Sequence, residues 1–372
     1  DTLAFLNAYS EMNATAVGLG IPWSYIEKTK DVYDMTFLDW FIAEARKRDL
    51  KIVAHLFSTN VCGKIGEVSP TGYYPQYAPD YILADPVTYQ RMDLGKEGQY
   101  AWAGTPMCPN DPDTRAREAK YVARVAEHLR REDSAHTVVM VQINNEFYYQ
   151  QWVTPPANPA KVRCHCADCE AVFDPTEAEE HFMYRSLAEY ARDIAAAFRE
   201  VYDIPLYVNS PWWPNWVAEL FLETCPSIDL VGMDGVFTPN EPNQLSTVQL
   251  GRNIPFASEC PTENAETQRN LGVLPFYVLL RRLGIGNLLW DAGASTMVEN
   301  IDSRRRYGAA LYPIKNAMGP IAAARGTDRL IGWYAQVHRA TTVPQVDVFG
   351  EKTGATLPGE PAVDQLFVRE GA

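Results

Sequence analysis

Two carboxylic acids, each set at the end of a short apolar run, carry the chemistry expected of this chain. Glu146 closes Thr137-Val138-Val139-Met140-Val141 by way of Gln142-Ile143-Asn144-Asn145, and Glu259 closes Ile254-Pro255-Phe256-Ala257-Ser258. A β-branched run that stops abruptly at polar residues has the pattern of a buried parallel strand presenting a side chain at the sheet's C-terminal edge. Two carboxyls on two different strand ends suit hydrolysis of a glycosidic bond, one serving as acid and base, the other as nucleophile or base. Asn145 adds an amide that can donate to a sugar 2-hydroxyl, a contact that strengthens in an oxocarbenium-like transition state. The plainer reading makes each Glu a salt-bridged strand end and Asn145 a backbone cap. The pair together favours chemistry.

A second constellation is Cys164-His165-Cys166-Ala167-Asp168-Cys169. Three thiols within six residues are too crowded for a disulfide framework and form a tetrahedral metal site lacking one ligand. Cys62, Cys225 and Cys260 remain over; unpaired thiols point to a reducing, cytoplasmic compartment, and Cys260 is given no role.

These groups need a scaffold, and the sequence alternates strand and helix throughout. Strands are predicted at 15–20, 51–57, 137–141, 205–209, 228–233, 254–258 and 286–290. Between them lie helices near 1–13, 34–48, 113–131, 177–201, 272–283 and 307–324. Such alternation implies a parallel sheet with right-handed crossovers. Seven strands are one short of the eight a closed barrel of this type needs, so the expected fold is a TIM (β/α)8 barrel whose first strand precedes Asp1. An open doubly wound sheet is the competing architecture, but no Gly-rich phosphate loop follows the first strand. Residues 1–325 are expected to form the catalytic barrel with loop insertions, and 326–372 a C-terminal extension or linker toward a β-rich module.

Bulk properties narrow the function. A chain of 372 residues with net charge −14 lacks the clustered Lys and Arg that nucleic acid or anionic membranes require. No apolar stretch approaches membrane-span length. Nine Trp and twenty Tyr, several near strand ends, favour a cleft for sugar rings, whose C–H faces pack on aromatic planes.

The residues then resemble a known family. Trp23-Ser24-Tyr25-Ile26-Glu27, Tyr33-Asp34 with Leu38-Asp39, Asn145-Glu146 and Glu259 on two strand ends, and Trp290 on the last are similar to the barrel of clan-A glycoside hydrolases, specifically the β-galactosidases of family 42. Tyr77-Ala78-Pro79-Asp80 and Pro226-Ser227-Ile228-Asp229-Leu230 resemble family 35, and Gly104-Thr105-Pro106 stands where the family carries an Arg. The resemblance implies a retaining exo-β-glycosidase, with Glu146 as acid/base and Glu259 as nucleophile. It implies a structural zinc, with Cys108 joining Cys164, Cys166 and Cys169; His165 or His181 is the alternative fourth ligand. It also implies an oligosaccharide or β-glycoside substrate, no organic cofactor, and a homo-oligomer. Strand ends nominate Trp23, His55, Asn60, Asn209, Trp212, Asp234 and Trp290 as substrate contacts, Trp290 as the stacking floor. Mannoside or glucoside hydrolysis, and a non-catalytic sugar-binding barrel, are the competing functions.

Overall fold

The computed structural model describes residues 2–59, 77–93, 106–147, 163–210, 213–234, 253, 257–261, 287–290 and scattered positions from 304 to 368. The chain divides into two compact units, Ala16–Asp234 with Leu250–Asn253, and Asp1–Thr15 with Gly235–Gln249 and Ile254–Ala372.

The first unit repeats strand and helix. Its elements run β1 (Ala16–Pro22), α2 (Trp23–Ile26), α3 (Thr36–Arg46), β2 (Lys51–Phe57), α4 (Asp80–Leu83), α5 (Pro112–Glu132), β3 (Val138–Ile143), α6 (Ala167–Val172), α7 (Glu179–Arg199), β4 (Leu206–Ser210), α8 (Asn215–Thr224) and β5 (Leu230–Asp234), after α1 (Thr2–Glu11) of the other unit. The strands lie in the order β1-β2-β3-β4-β5, every neighbouring pair parallel. Parallel strands are covered on both faces, which is why β4 and β5 are buried along their whole length.

Helix α5 begins where its sequence says it should. Pro112 supplies the first helical residue, and the Asp111 carboxylate caps it by accepting from the Asp113 and Thr114 amides, each at 3.3 Å. Its second half buries an apolar stripe of Val122, Val125, Ala126 and Leu129. Its first half breaks the apolar pattern: Ala116 is exposed, while Arg117 and Glu118 are buried. Arg117 pairs there with Glu27, whose carboxylate also accepts from the Trp23 indole at 2.7 Å. In α3 the buried set is Leu38, Phe41, Ile42 and Ala45 at helical spacing, while Phe37 turns outward, 53% exposed.

In the second unit, β6 (Ala257–Pro261) pairs in parallel with β7 (Asn287–Trp290). Helix α1 belongs here, held by an Arg304–Glu11 ion pair at 3.0 Å and by the Asn13 amide donating to the Gly308 carbonyl at 3.4 Å. Further along, β8 (Leu330–Trp333) pairs antiparallel with β11 (Gln365–Val368), and β9 (Val346–Val348) with β10 (Glu351–Thr353). The expected helix at 272–283 lies outside the described residues.

Candidate active site and metal centre

The C-terminal ends of β3, β4 and β5 converge on one polar network. Asn209, at the end of β4, is fully buried and acts as its hub. Its Oδ1 accepts from the Glu146 amide at 2.7 Å, and its Nδ2 donates to Asp234 Oδ2 at 2.8 Å and to Asn145 Oδ1 at 3.3 Å. Gln142 Nε2 donates to the same Asn145 oxygen at 2.9 Å and to the Asn144 carbonyl at 2.8 Å. Glu146, Asn145, Asn209 and Asp234 are therefore brought together, as their strand-end positions predicted, and Gln142 and Asn144 join them. The Asn145 amide oxygen is thus held by both Gln142 and Asn209.

The backbone here is bent. Asn144 has φ 54° and Glu146 φ 41°, both left-handed. Asn tolerates that region; for Glu it costs about 1 kcal/mol or more, and such residues persist only where surrounding bonds hold them. The Asn209 side chain on the Glu146 amide, and Asn144 Oδ1 accepting the Asn145 amide at 2.9 Å, are those bonds.

Below the strand ends, His55, Gln142 and Tyr207 are register partners across β2, β3 and β4. The His55 ring meets Tyr207 edge-on at 6.4 Å and lies over Gly18, where an added Cβ would come within 3.2 Å of it. Glycine on β1 thus makes room for an imidazole. Burial pushes the His55 pKa down to about 4, so the ring is neutral at neutral pH, and its Nε2 has no partner among the described residues.

Trp23 is placed elsewhere. It is fully buried, its indole N–H engaged by Glu27 and its face stacked on Tyr121 at 5.4 Å, which leaves no open face for a sugar. Asn60 and Trp212 lie outside the described residues. Glu259 falls within β6 and Trp290 ends β7, but their side chains are likewise outside what is described.

The cysteine cluster assembles from three segments. Cys108 precedes α5, Cys164 and Cys166 precede α6, and Cys169 lies within it. All four are buried, and their sulfurs lie within 4.8 Å of one another. Cys108 Sγ is 3.2 Å from Cys166, 3.4 Å from Cys169 and 3.9 Å from Cys164. A tetrahedral ion with bonds of about 2.3 Å needs sulfur–sulfur edges of about 3.8 Å, so the group is sized to hold a metal ion. Amide donors surround it: Asp93 N to Cys164, Asn110 N to Cys108, and Asn110 Nδ2 to Cys169, each at 3.3 Å. Such N–H···S bonds stabilise thiolates and orient ligands. His165 and His181 are instead turned to Glu170 and Glu177, at 3.1 and 2.8 Å. Cys225 sits apart, donating to the Ala188 carbonyl at 3.0 Å.

No protein-family profile matches this sequence, and no curated protein is found similar to it. Solved structures are similar. A β-galactosidase from Bacillus circulans sp. alkalophilus superposes with TM-score 0.56 at 14% identity, over 84% of this chain and 53% of that one. A cold-adapted β-galactosidase from Rahnella sp. R3 gives TM-score 0.59 at 10% identity, over 86% and 54%. The chain has the α/β architecture of a (β/α)8 barrel. A β-galactosidase from Halorubrum lacusprofundi gives TM-score 0.55 at 17% identity, over 87% and 56%. The chain spans about half the length of the structures it matches. Among the described residues, no helix is long and apolar enough to cross a membrane.

Proposed function

We propose that this chain carries the catalytic machinery of a retaining exo-β-glycosidase, most naturally a β-galactosidase. The observation that carries the reading is the strand-end network that fixes Glu146, in a left-handed backbone, among Asn145, Asn209 and Asp234. In this reading Glu146 protonates the leaving oxygen and later activates water, while Glu259 attacks the anomeric carbon. Asn145 binds the 2-hydroxyl, Asp234 and Asn209 line the sugar site, and Trp290 forms its stacking floor. Support also comes from the similar structures, three of which are β-galactosidases. The four cysteines take a structural zinc: a closed thiolate shell leaves no open position for chemistry, so the ion ties the segment before α5 to α6.

The test is turnover of aryl β-galactosides and β-mannosides by the protein and by Glu259→Gln. An enzyme of this kind loses turnover in the variant and keeps sugar binding. A non-catalytic sugar-binding barrel shows no turnover in either form and unchanged binding. The carboxyl separation of Glu146 and Glu259 in a sugar complex decides the stereochemistry: about 5–5.5 Å for retention, roughly 6.5–9.5 Å for inversion.

A further inference from the structure

A second buried carboxylate lies outside the strand-end network. Glu118, on α5, is 1% exposed and has no cationic partner among the described residues. Its two oxygens accept from the hydroxyls of Ser58, just past β2, and Tyr190, on α7. The Tyr190 oxygen lies 2.5 Å from Thr59 Oγ1, and Thr59 Oγ1 accepts from Asn144 Nδ2 at 3.1 Å. The Asn144 amide nitrogen can only donate, so the Thr59 hydroxyl passes its own proton onward, toward the Tyr190 oxygen and the Glu118 carboxylate, both of which it faces. The chain therefore has one polarity, from Asn144 through Thr59 and Tyr190 to the Glu118 carboxylate. All five residues are buried.

We propose that Glu118 is a positioning residue for the Asn145–Glu146 strand end, acting through Tyr190, Thr59 and Asn144. The inference rests on the glycosidase reading above. Asn144 is the point of transmission: its Nδ2 is held by Thr59 while its Oδ1 holds the Asn145 amide, one residue before Glu146. Tyr190 reaches the same segment a second way, its ring meeting Phe147 edge-on at 5.9 Å. Above about pH 7, where Glu118 is ionised, its carboxylate makes the terminal hydrogen bond stronger than a neutral acceptor would and polarises the bonds behind it. Thus a carboxylate that cannot itself touch substrate sets the orientation of the left-handed turn that presents Glu146.

Tyr190→Phe keeps the ring on Phe147 and removes only the hydroxyl. Thr59→Val keeps the shape and the backbone carbonyl that accepts the Met107 amide at 3.2 Å. Each variant is expected to lower kcat about tenfold, with KM for the same aryl glycoside changed by less than about twofold, the cost of one lost positioning bond felt in the transition state. Thr59→Ser, which restores the hydroxyl, should return kcat to the starting value. The double variant should be no slower than either single one, because both cut the same chain. Variants that melt at lower temperature yet turn over normally below that temperature overturn the proposal and leave a purely structural network. Separately, full turnover in Glu146→Gln refutes the glycosidase reading itself, whatever Thr59 and Tyr190 do.

Discussion

Replacing Glu118 by Gln should change how the stability of this protein depends on pH. The site holds three hydroxyl donors and no counter-charge among the described residues, and burial pushes the carboxyl from 4.5 up to about 7. A carboxyl whose folded pKa lies above its unfolded value binds more protons when folded. Stability attributable to Glu118 is therefore highest below pH 4.5 and declines as pH rises to about 7, after which it is constant. A displacement from 4.5 to about 7 corresponds to about 3 kcal/mol. Glutamine has the same shape and cannot ionise. Its altered hydrogen bonding adds a change that does not vary with pH, so the difference between the two proteins isolates the titration. Urea unfolding of both at intervals from pH 4.5 to 8 measures it. The variant should gain about 3 kcal/mol relative to the parent across that window, with most of the gain between pH 5 and 7. Parallel curves would show that Glu118 is ionised with an ordinary pKa, and the argument from burial would be refuted.

Three other outcomes are expected. His55, pushed down to about 4, works in the opposite sense: the parent loses up to about 3 kcal/mol as pH falls from 6.5 to 4, and His55→Gln should lose much less, as urea midpoints at pH 7 and 5 will show. The purified protein should contain one zinc per chain by elemental analysis; Cys169→Ser should lower that content and the Tm together, and strong chelators should lower the Tm of the parent but not of the variant. Arg117→Met should destabilise by about 3–5 kcal/mol by leaving Glu27 buried and uncompensated, whereas Glu27→Gln combined with Arg117→Met should cost less than the single change, read by chemical denaturation.

Strand periodicity made the scaffold legible. Each of the seven predicted strands is present within a few residues, because a parallel strand covered on both faces must be apolar along its length and so stands out from its neighbours. Strand ends then located Glu146, Asn145, Asn209 and Asp234 as one group. The spacing of Cys164, Cys166 and Cys169 announced a group able to hold a metal ion, while Cys108 came only from family resemblance, its fifty-odd residues of separation hiding the proximity. Trp23 shows the limit of reasoning from strand ends: an aromatic at that position can turn either way, and Glu27 and Tyr121 turn this one into the core. Glu118, Thr59 and Tyr190 left no trace in the sequence. Each sits on a different element, and nothing local distinguishes a buried Glu in a charged helix from its solvated neighbours.

For Glu118 the failure lies in the first half of one helix, and the geometry of βα units explains why. A helix that follows a strand starts near the strand's C-terminal edge, so its first turns lie beside the loops that carry function, and its later turns lie over the sheet. Helix α5 is divided accordingly. From Asp111 to Glu118 its side chains bind loops: Asp111 takes the Gln90 amide at 2.9 Å, Arg115 bonds Asn110 Oδ1 at 3.1 Å, Arg117 pairs with Glu27 and Asp31, and Glu118 holds Ser58. Asn110, just before the helix, joins Cys169 to Ser186 of α7. From Val122 onward the helix buries an ordinary apolar stripe. Hydropathy reads the second kind of burial and is blind to the first, where a buried charge is retained because its partners are polar groups on other segments. The two halves should therefore respond differently to mutation. Val125→Ala removes packing and lowers stability alone, while changes at Asp111 and Glu118 alter the segments beside the cysteines and Glu146 and reach metal content or activity before they unfold the chain; Arg117, paired with Glu27 and Asp31, is the exception and acts on stability.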